Sequence, residues 1–186
     1  MKKIIFLILI LLLFAINEFS QTADFIGASD MPRRTWMFSA ENGGPGPSQT
    51  AATRPAEKNV IEKAIRASIG WAITKDRPLL ESLLVHDDTL FIFNPDANST
   101  VGWNQFKQGF EFWMDPRFKM EHVEIRNLRI NLSLSGTVAW WSCIMDERAS
   151  WDGRSVGWQD TRWTGVIEKR GGKWQIVQMH FSFSAQ

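Results

Sequence analysis

The chain has 186 residues, of which 44% are hydrophobic and 12% aromatic, a composition typical of globular rather than disordered proteins. Its formal net charge of +1 argues against a nucleic-acid or anionic-membrane partner held by bulk electrostatics. Cys143 is the single cysteine, so an internal disulfide is excluded and stability must come from the hydrophobic core.

The first 20 residues have the layout of a secretory signal peptide. Lys2 and Lys3 precede an unbroken apolar run from Ile4 to Ile16, and polar residues follow. As a helix this run would span about 20 Å, short of the roughly 30 Å hydrocarbon core, which disfavours a membrane anchor. We therefore expect a secreted or periplasmic protein with no membrane contact after removal of residues 1–20.

Residues 21–55 are expected to form a flexible linker or arm. Glycine, proline, serine and threonine are frequent there, and no periodicity supports a helix or a strand. We place the folded domain at residues 56–186.

The domain begins with helical patterns. From Glu57 to Thr74 apolar residues recur at steps of three and four, which predicts an amphipathic helix. Pro78 opens a short second helix to Val85, and Thr89 to Phe93 is predicted to be a strand. Trp103 to Met114 carries aromatic residues at helical spacing, and Asp115-Pro116 ends that helix.

The C-terminal half is predicted to be a β-sheet. Its strand-like runs are Lys119–Leu134, Thr137–Trp151, Ser155–Lys169 and Lys173–Phe183, separated by short turns rich in glycine. Helices gathered on one side of a long, bent antiparallel sheet make an α+β architecture, in which the sheet wraps around the helices into a cone.

The last hairpin admits two registers. A two-residue turn at Gly171-Gly172 puts Arg162 opposite Phe181, and a three-residue turn that includes Arg170 puts Arg162 opposite His180. We favour the three-residue turn because it separates polar from apolar side chains more cleanly. The polar residues that then share one face are Asp160, Arg162, Thr164, Gln178, His180 and Ser182.

This polar group is the strongest candidate for a functional site. His180 could act as a general base, with Asp160 to orient it and Arg162 to hold an anionic or carbonyl oxygen. The structural alternative is an Asp160–Arg162 ion pair beside a hydrogen-bonded core histidine. Aromatic residues that could line an apolar pocket around the group, although each is more often plain core, are Trp71, Phe91, Trp103, Trp140 and Trp158.

Other reactive side chains are predicted to have structural roles. Cys143 lies in a strand with no histidine close in sequence, which predicts a buried, inert thiol. Asp146 is expected at a solvated edge, with entry into the pocket as the alternative. The three histidines lack metal-ligand spacing and there is no glycine-rich phosphate loop, so neither a metal nor a cofactor is predicted.

Several stretches carry a family resemblance over about residues 56–184. They are Asp88–Phe93 followed by Val101-Gly-Trp-Asn-Gln-Phe106, then Arg162-x-Thr164-x-Val166, then Gly172-Lys-Trp-x-Ile-Val-x-x-His180-x-Ser182. With the order of elements, they resemble the nuclear transport factor two-like superfamily and its SnoaL-like group. The last stretch also resembles the end of the association domain of calmodulin-dependent protein kinase two.

The resemblance implies a cone-shaped fold with a pocket between the helices and the concave sheet, and dimers built on the outer sheet face. Catalytic residues of the superfamily do not carry over, since the chain has no tyrosine for a ketosteroid-isomerase site and Phe106 falls where the kinase domain has its pocket histidine. We expect an exported homodimer that binds a small, partly apolar ligand without catalysis. The alternatives are a cofactor-free lyase, isomerase or hydrolase that uses His180, and a structural dimerisation module.

Overall fold

A computed structural model describes residues 53–96 and 98–184. The predicted signal peptide and most of the predicted linker lie outside these residues. Within them, no helix is both long and apolar enough to cross a membrane.

Two helices open the described chain. Helix α1 spans Thr53–Thr74, and its apolar stripe, which includes Ile61, Ile65 and Trp71, is buried. It ends at Lys75, whose φ of 55° no helix can continue. Helix α2 spans Arg77–Leu83 and is capped by Asp76, whose carboxylate accepts a 3.0 Å hydrogen bond from the backbone nitrogen of Leu79. Both predicted helices are confirmed, with shifted ends.

The middle of the chain contains more and shorter elements than predicted. Strand β1 spans Phe91–Phe93, and β2, which the sequence analysis missed, spans Ser99–Val101. The predicted helix Trp103–Met114 is three pieces: α3 at Gly102–Phe106, a 3₁₀ turn at Lys107–Gly109 and α4 at Phe110–Met114. The 3₁₀ turn keeps the aromatic residues of both pieces packed together, since the ring centroids of Phe106 and Phe110 are 5.9 Å apart.

Five further strands complete one curled sheet. They are β3 (Phe118–Leu132), β4 (Val138–Trp151), β5 (Arg154–Ser155), β6 (Thr161–Arg170) and β7 (Lys173–Ser182). The sheet order is β2-β1-β7-β6-β4-β3, with β5 paired to β4, and among these described strands only the β1–β7 pair is parallel. The single strand predicted at Ser155–Lys169 is wrong, because residues 156–160 interrupt it between β5 and β6.

The two faces of the sheet have different surroundings. On β4 the side chains of Ala139, Trp141, Cys143 and Met145 are buried and belong to the same core cluster as Ile61 and Ile65 of α1. We call this the inner face. The alternate β4 residues, such as Trp140 and Ser142, are exposed on the outer face. The core therefore lies between the helices and the inner face of the curled sheet.

The register of the last hairpin differs from the prediction. Arg170 pairs with Lys173, so Gly171-Gly172 is a two-residue turn and the predicted three-residue turn is wrong. An extra residue, Val177, then bulges from β7 between the pairs Ile167–Ile176 and Val166–Gln178. The bulge shifts the register again, which places Arg162 opposite Ser182 rather than His180.

Candidate functional site

The predicted polar residues of the hairpin lie on the outer face. The Val177 bulge pairs even-numbered residues of β6 with even-numbered residues of β7, so the predicted residues share one face, as expected. They are Arg162, Thr164, Gln178, His180 and Ser182. The residues between them, Trp163, Met179 and Phe181, are buried on the inner face. The ring of His180 packs against Phe93, which is 49% exposed, with centroids 5.5 Å apart. This group does not line the interior of the cone.

Asp160 is not part of that group. Its carboxylate accepts a 2.8 Å hydrogen bond from Nη2 of Arg126, and its backbone nitrogen donates to Oδ1 of Asp146 at 2.6 Å. The Asp160 N–H and Arg126 hold the pKa of Asp146 below its usual value. Arg162 instead donates to Oγ of Ser184 at 3.1 Å. The structure therefore assembles neither the predicted His180–Asp160–Arg162 group nor the alternative Asp160–Arg162 ion pair.

The five aromatic residues that were predicted to line a pocket lie in three different environments. Trp71 and Trp103 are buried among the helices, with ring centroids 5.9 and 6.2 Å from that of Phe110. Trp140 and Phe91 lie on the outer face, since Trp140 pairs with Val166 and Phe91 with Gln178. Trp158 is half-buried beside the inner face, and its ring centroid is 5.7 Å from that of Phe181.

A residue that the sequence analysis passed over, Glu147, stands on the inner face. On β4 it follows the buried Trp141, Cys143 and Met145 at alternate positions, so its carboxylate lies where the neighbouring positions are apolar. Burial raises the pKa of Glu147 to about 7. Strict alternation along β4 was the signal that could have identified it.

The main chain around Glu147 is held tightly by the segment that precedes β6. Its backbone nitrogen donates to the carbonyl oxygen of Trp158 at 2.7 Å, and its own carbonyl accepts from Nε2 of Gln159 at 2.7 Å. Gly157 packs so closely that a Cβ there would lie 2.2 Å from the Glu147 carbonyl oxygen. Within residues 53–96 and 98–184, no hydrogen bond or ion pair to the Glu147 carboxylate is formed.

Three further polar groups are buried on the inner face and have no partner among the described residues. They are Nε1 of Trp141, Nε1 of Trp163 and Oγ1 of Thr161, in side chains that are 0–2% exposed. Buried donors in folded proteins are nearly always hydrogen-bonded, to protein, water or ligand. Three such groups on one face are therefore unsatisfied among the described residues.

The strand register places these groups on the same face as Glu147, with Thr161 nearest to it and Trp141 farthest along β4. Thr161 pairs with Met145, so Glu147 is its diagonal neighbour on the same face. Trp163 pairs with Cys143, and its ring meets that of Trp141 edge-on with centroids 5.5 Å apart. We call Trp141, Glu147, Thr161 and Trp163 the inner polar row.

A groove lies between α1 and β3, at the end of the sheet order, and no residue of the inner polar row lines it. Its volume is about 490 Å³, within the usual range for small-molecule sites. Ile125 on its β3 side pairs with Met145, which in turn pairs with Thr161 of the inner polar row. The other residues that line it are Pro55, Lys58, Asn59, Glu62, Arg66, Asn127, Leu128 and Ile130.

Cys143 has the environment that the sequence analysis predicted for it. The thiol is buried and donates to the carbonyl oxygen of Trp163 at 3.5 Å, and burial raises its pKa to about 12. Nor do the described residues bring three histidine, cysteine or acidic side chains together as metal ligands.

Comparisons with known proteins agree on the architecture. The model of the SnoaL-like domain family matches residues 61–186. An NTF2-like superfamily protein from Salmonella enterica serovar Typhimurium is 18% identical with a TM-score of 0.60, covering 72% of this chain and 94% of that one. An NTF2-like protein from Cytophaga hutchinsonii is 14% identical with a TM-score of 0.56, covering 68% and 98%.

The association domain of C. elegans CaMKII is also similar, at 19% identity and a TM-score of 0.54, covering 70% of this chain and 98% of that one. No curated protein matches the sequence at a significant level. At these identities the solved structures establish the fold alone.

Proposed function

Since the chain belongs to the SnoaL-like domain family, whose model matches residues 61–186, we propose that it binds a small, partly apolar molecule on the inner face of its cone. The binding site is the inner polar row. No catalytic step is part of the proposal, because His180, Asp160 and Arg162 lie in separate environments on or near the outer face.

The observation that carries this proposal is the set of three orphaned groups. An unpartnered buried donor costs about 1–3 kcal/mol, so Trp141, Trp163 and Thr161 together oppose folding unless something bonds to them. A ligand with an oxygen acceptor and an apolar body satisfies the donors and contacts the surrounding aromatic rings. This combination of few polar groups and many apolar ones is the usual form of a small-molecule site.

NMR signals of the indole N–H groups test the proposal. With ¹⁵N-labelled tryptophan, 4-methoxybenzyl alcohol as a probe should shift the Nε1–H signals of Trp141 and Trp163 in a saturable way. The assignments come from Trp141→Phe and Trp163→Phe, each of which removes one signal. Trp140, which is 48% exposed on the outer face, is the internal control and should not shift. If the two inner signals stay unchanged at millimolar probe, the cone is filled by its own aromatic residues and the proposal fails.

We also propose that the domain is a homodimer through the outer face. Register aligns one row of residues straight across five strands: Val101, Phe91, Gln178, Val166 and Trp140. Val101, Trp140 and Phe93, which lies two residues after Phe91 on β1, are each about half exposed, so large apolar side chains meet solvent along this face. A second copy that covers this row would remove it from water.

Sedimentation of the folded domain tests the dimer. The double variant Phe93→Ser, Trp140→Ser should be monomeric at concentrations where the unchanged protein is dimeric. Leu134→Ser is the matched control, because Leu134 is 89% exposed in the turn between β3 and β4 and outside the row. A monomeric unchanged protein, or a double variant that still dimerises, rules out this surface.

Export remains part of the proposal and rests on residues 1–20 of the sequence. Mass spectrometry of the mature protein from the culture medium or periplasm should show a shortened N-terminus. An intact Met1 in the recovered protein contradicts it.

A further inference from the structure

We infer that Glu147 makes the inner site selective for organic amines, with the ammonium group paired to its carboxylate and an oxygen acceptor on the apolar body bonded to the inner indoles. The inference rests on the proposed function, since it names the class of ligand that the same site takes. It goes beyond that proposal in assigning a charge to the ligand.

The cations in this part of the sheet have partners other than Glu147. Arg126 is bonded to Asp146 and Asp160, with Nη2 of Arg126 2.6 and 2.8 Å from their oxygens. Arg148 is paired with Glu121 at 3.0 Å. The neighbouring cations are therefore already paired with other carboxylates, and no described cation compensates Glu147.

The Glu147 side chain cannot turn away from the interior. Its nitrogen and carbonyl are both hydrogen-bonded to the Trp158-Gln159 segment, and Gly157 packs on its carbonyl. A shift of the strand by one residue would move the carboxylate to the outer face, but it would also break these contacts. The acidic group is thus held beside the apolar interior.

The segment that holds the Glu147 main chain also carries an aromatic ring, that of Trp158. The Trp158 ring packs against Phe181 and Phe183, with centroids 5.7 and 6.2 Å away. Aromatic faces attract cations electrostatically through the ring quadrupole. A carboxylate repels an anionic ligand, favours an ammonium group and gains less from a neutral hydroxyl.

The remaining groups of the inner polar row select the other end of the ligand. Nε1 of Trp141 and Nε1 of Trp163 can only donate, so they require an acceptor such as an ether or carbonyl oxygen. The ligand class is therefore an amine with an apolar body and an oxygen acceptor distant from the nitrogen.

Calorimetric titration at pH 8 with a matched pair of probes tests the inference. 4-Methoxybenzylamine and 4-methoxybenzyl alcohol differ only in the group that would meet Glu147. The amine should bind at least about tenfold more tightly than the alcohol, and Glu147→Gln should remove that preference while leaving alcohol binding within about twofold. Glu124→Gln, at an exposed β3 position opposite Asp146, is the control and should keep the preference.

The outcomes separate the two proposals. Equal binding of both probes, unaffected by Glu147→Gln, overturns the amine inference and leaves the small-molecule site standing. Loss of binding of both probes in Glu147→Gln also overturns it, provided that circular dichroism shows a folded variant, because Glu147 then acts on the site as a whole. Absence of binding by either probe to the unchanged protein overturns the inference together with the proposed function.

Discussion

The backbone nitrogen of Glu147 donates a 2.7 Å hydrogen bond to the carbonyl oxygen of Trp158. This contact links β4 to residues 156–160, the segment between β5 and β6. It fixes which face of β4 the Glu147 carboxylate occupies.

Stability should fall as pH rises through the titration of Glu147. Burial raises its pKa from 4.5 to about 7 in the folded protein, so the folded state binds this proton more tightly than the unfolded chain. The stabilisation is full below pH 4.5 and is lost between 4.5 and about 7, a contribution on the order of 3 kcal/mol. Urea unfolding at several pH values should show the decline, and Glu147→Gln should abolish it. A Glu124→Gln protein should decline like the unchanged one.

Gly165→Ala should destabilise the domain by about 1–3 kcal/mol or more. A Cβ at residue 165 would lie 2.3 Å from Cη2 of Trp141 and 2.5 Å from the carbonyl oxygen of Gln178, so the buried indole or the β7 backbone must move. Thermal unfolding measures the effect. Gly70→Ala is the matched control: it lies within α1 with nothing within 4 Å of a Cβ, and should stabilise by about 0.5–1 kcal/mol. Equal effects of the two changes would contradict the close contact at Gly165.

Glu57→Ala should cost about 1–3 kcal/mol of stability. Oε1 of Glu57 accepts from Nζ of Lys169 and Oε2 from Nε1 of Trp174, both at 2.6 Å, which ties the start of α1 to the β6–β7 hairpin. Denaturant unfolding provides the measurement. Glu62→Ala removes only an exposed pair with Arg66, four residues along the helix, and should cost about 0.5 kcal/mol or less. If the two variants lose equal stability, the Glu57 contacts do not tie the elements together.

Cys143 should resist alkylation until the protein unfolds. Its thiol is buried and its pKa is raised to about 12 by burial, so almost no thiolate is present or accessible at pH 8. Iodoacetamide labelling followed by mass spectrometry should be slow in buffer and fast above the urea midpoint. Fast labelling of the folded protein would show that the inner face opens locally.

Local sequence patterns predicted which segments are helices and which are strands, but they did not predict where those elements are interrupted. Apolar spacing of three and four residues predicted α1, and alternation predicted β3, β4 and β7 to within a few residues. The break at residues 156–160 has no such signal, because Trp158 continues the alternation of a strand. Asp160, with φ of 51°, closes that break and turns toward Arg126, which is distant in sequence.

The candidate site shows the same division. Alternation places Glu147 with Trp141, and its importance was missed because a single carboxylate between Asp146 and Arg148 resembles a solvated charged strand. Conversely, the polar residues around His180 share a face as predicted, but helices cover the other face. In the sequence, a polar strand face that lines a pocket has the same residue pattern as one that faces solvent.

By itself, the sequence determined the α+β class, the family resemblance and which residues of each strand share a face, because these depend on local periodicity. The tertiary structure alone decided the Val177 bulge, the pairing of Asp160 with Arg126 and the isolation of Glu147 among apolar side chains. These features depend on where the helices pack and on contacts between distant segments. Neither can be predicted from the residue pattern of a single strand.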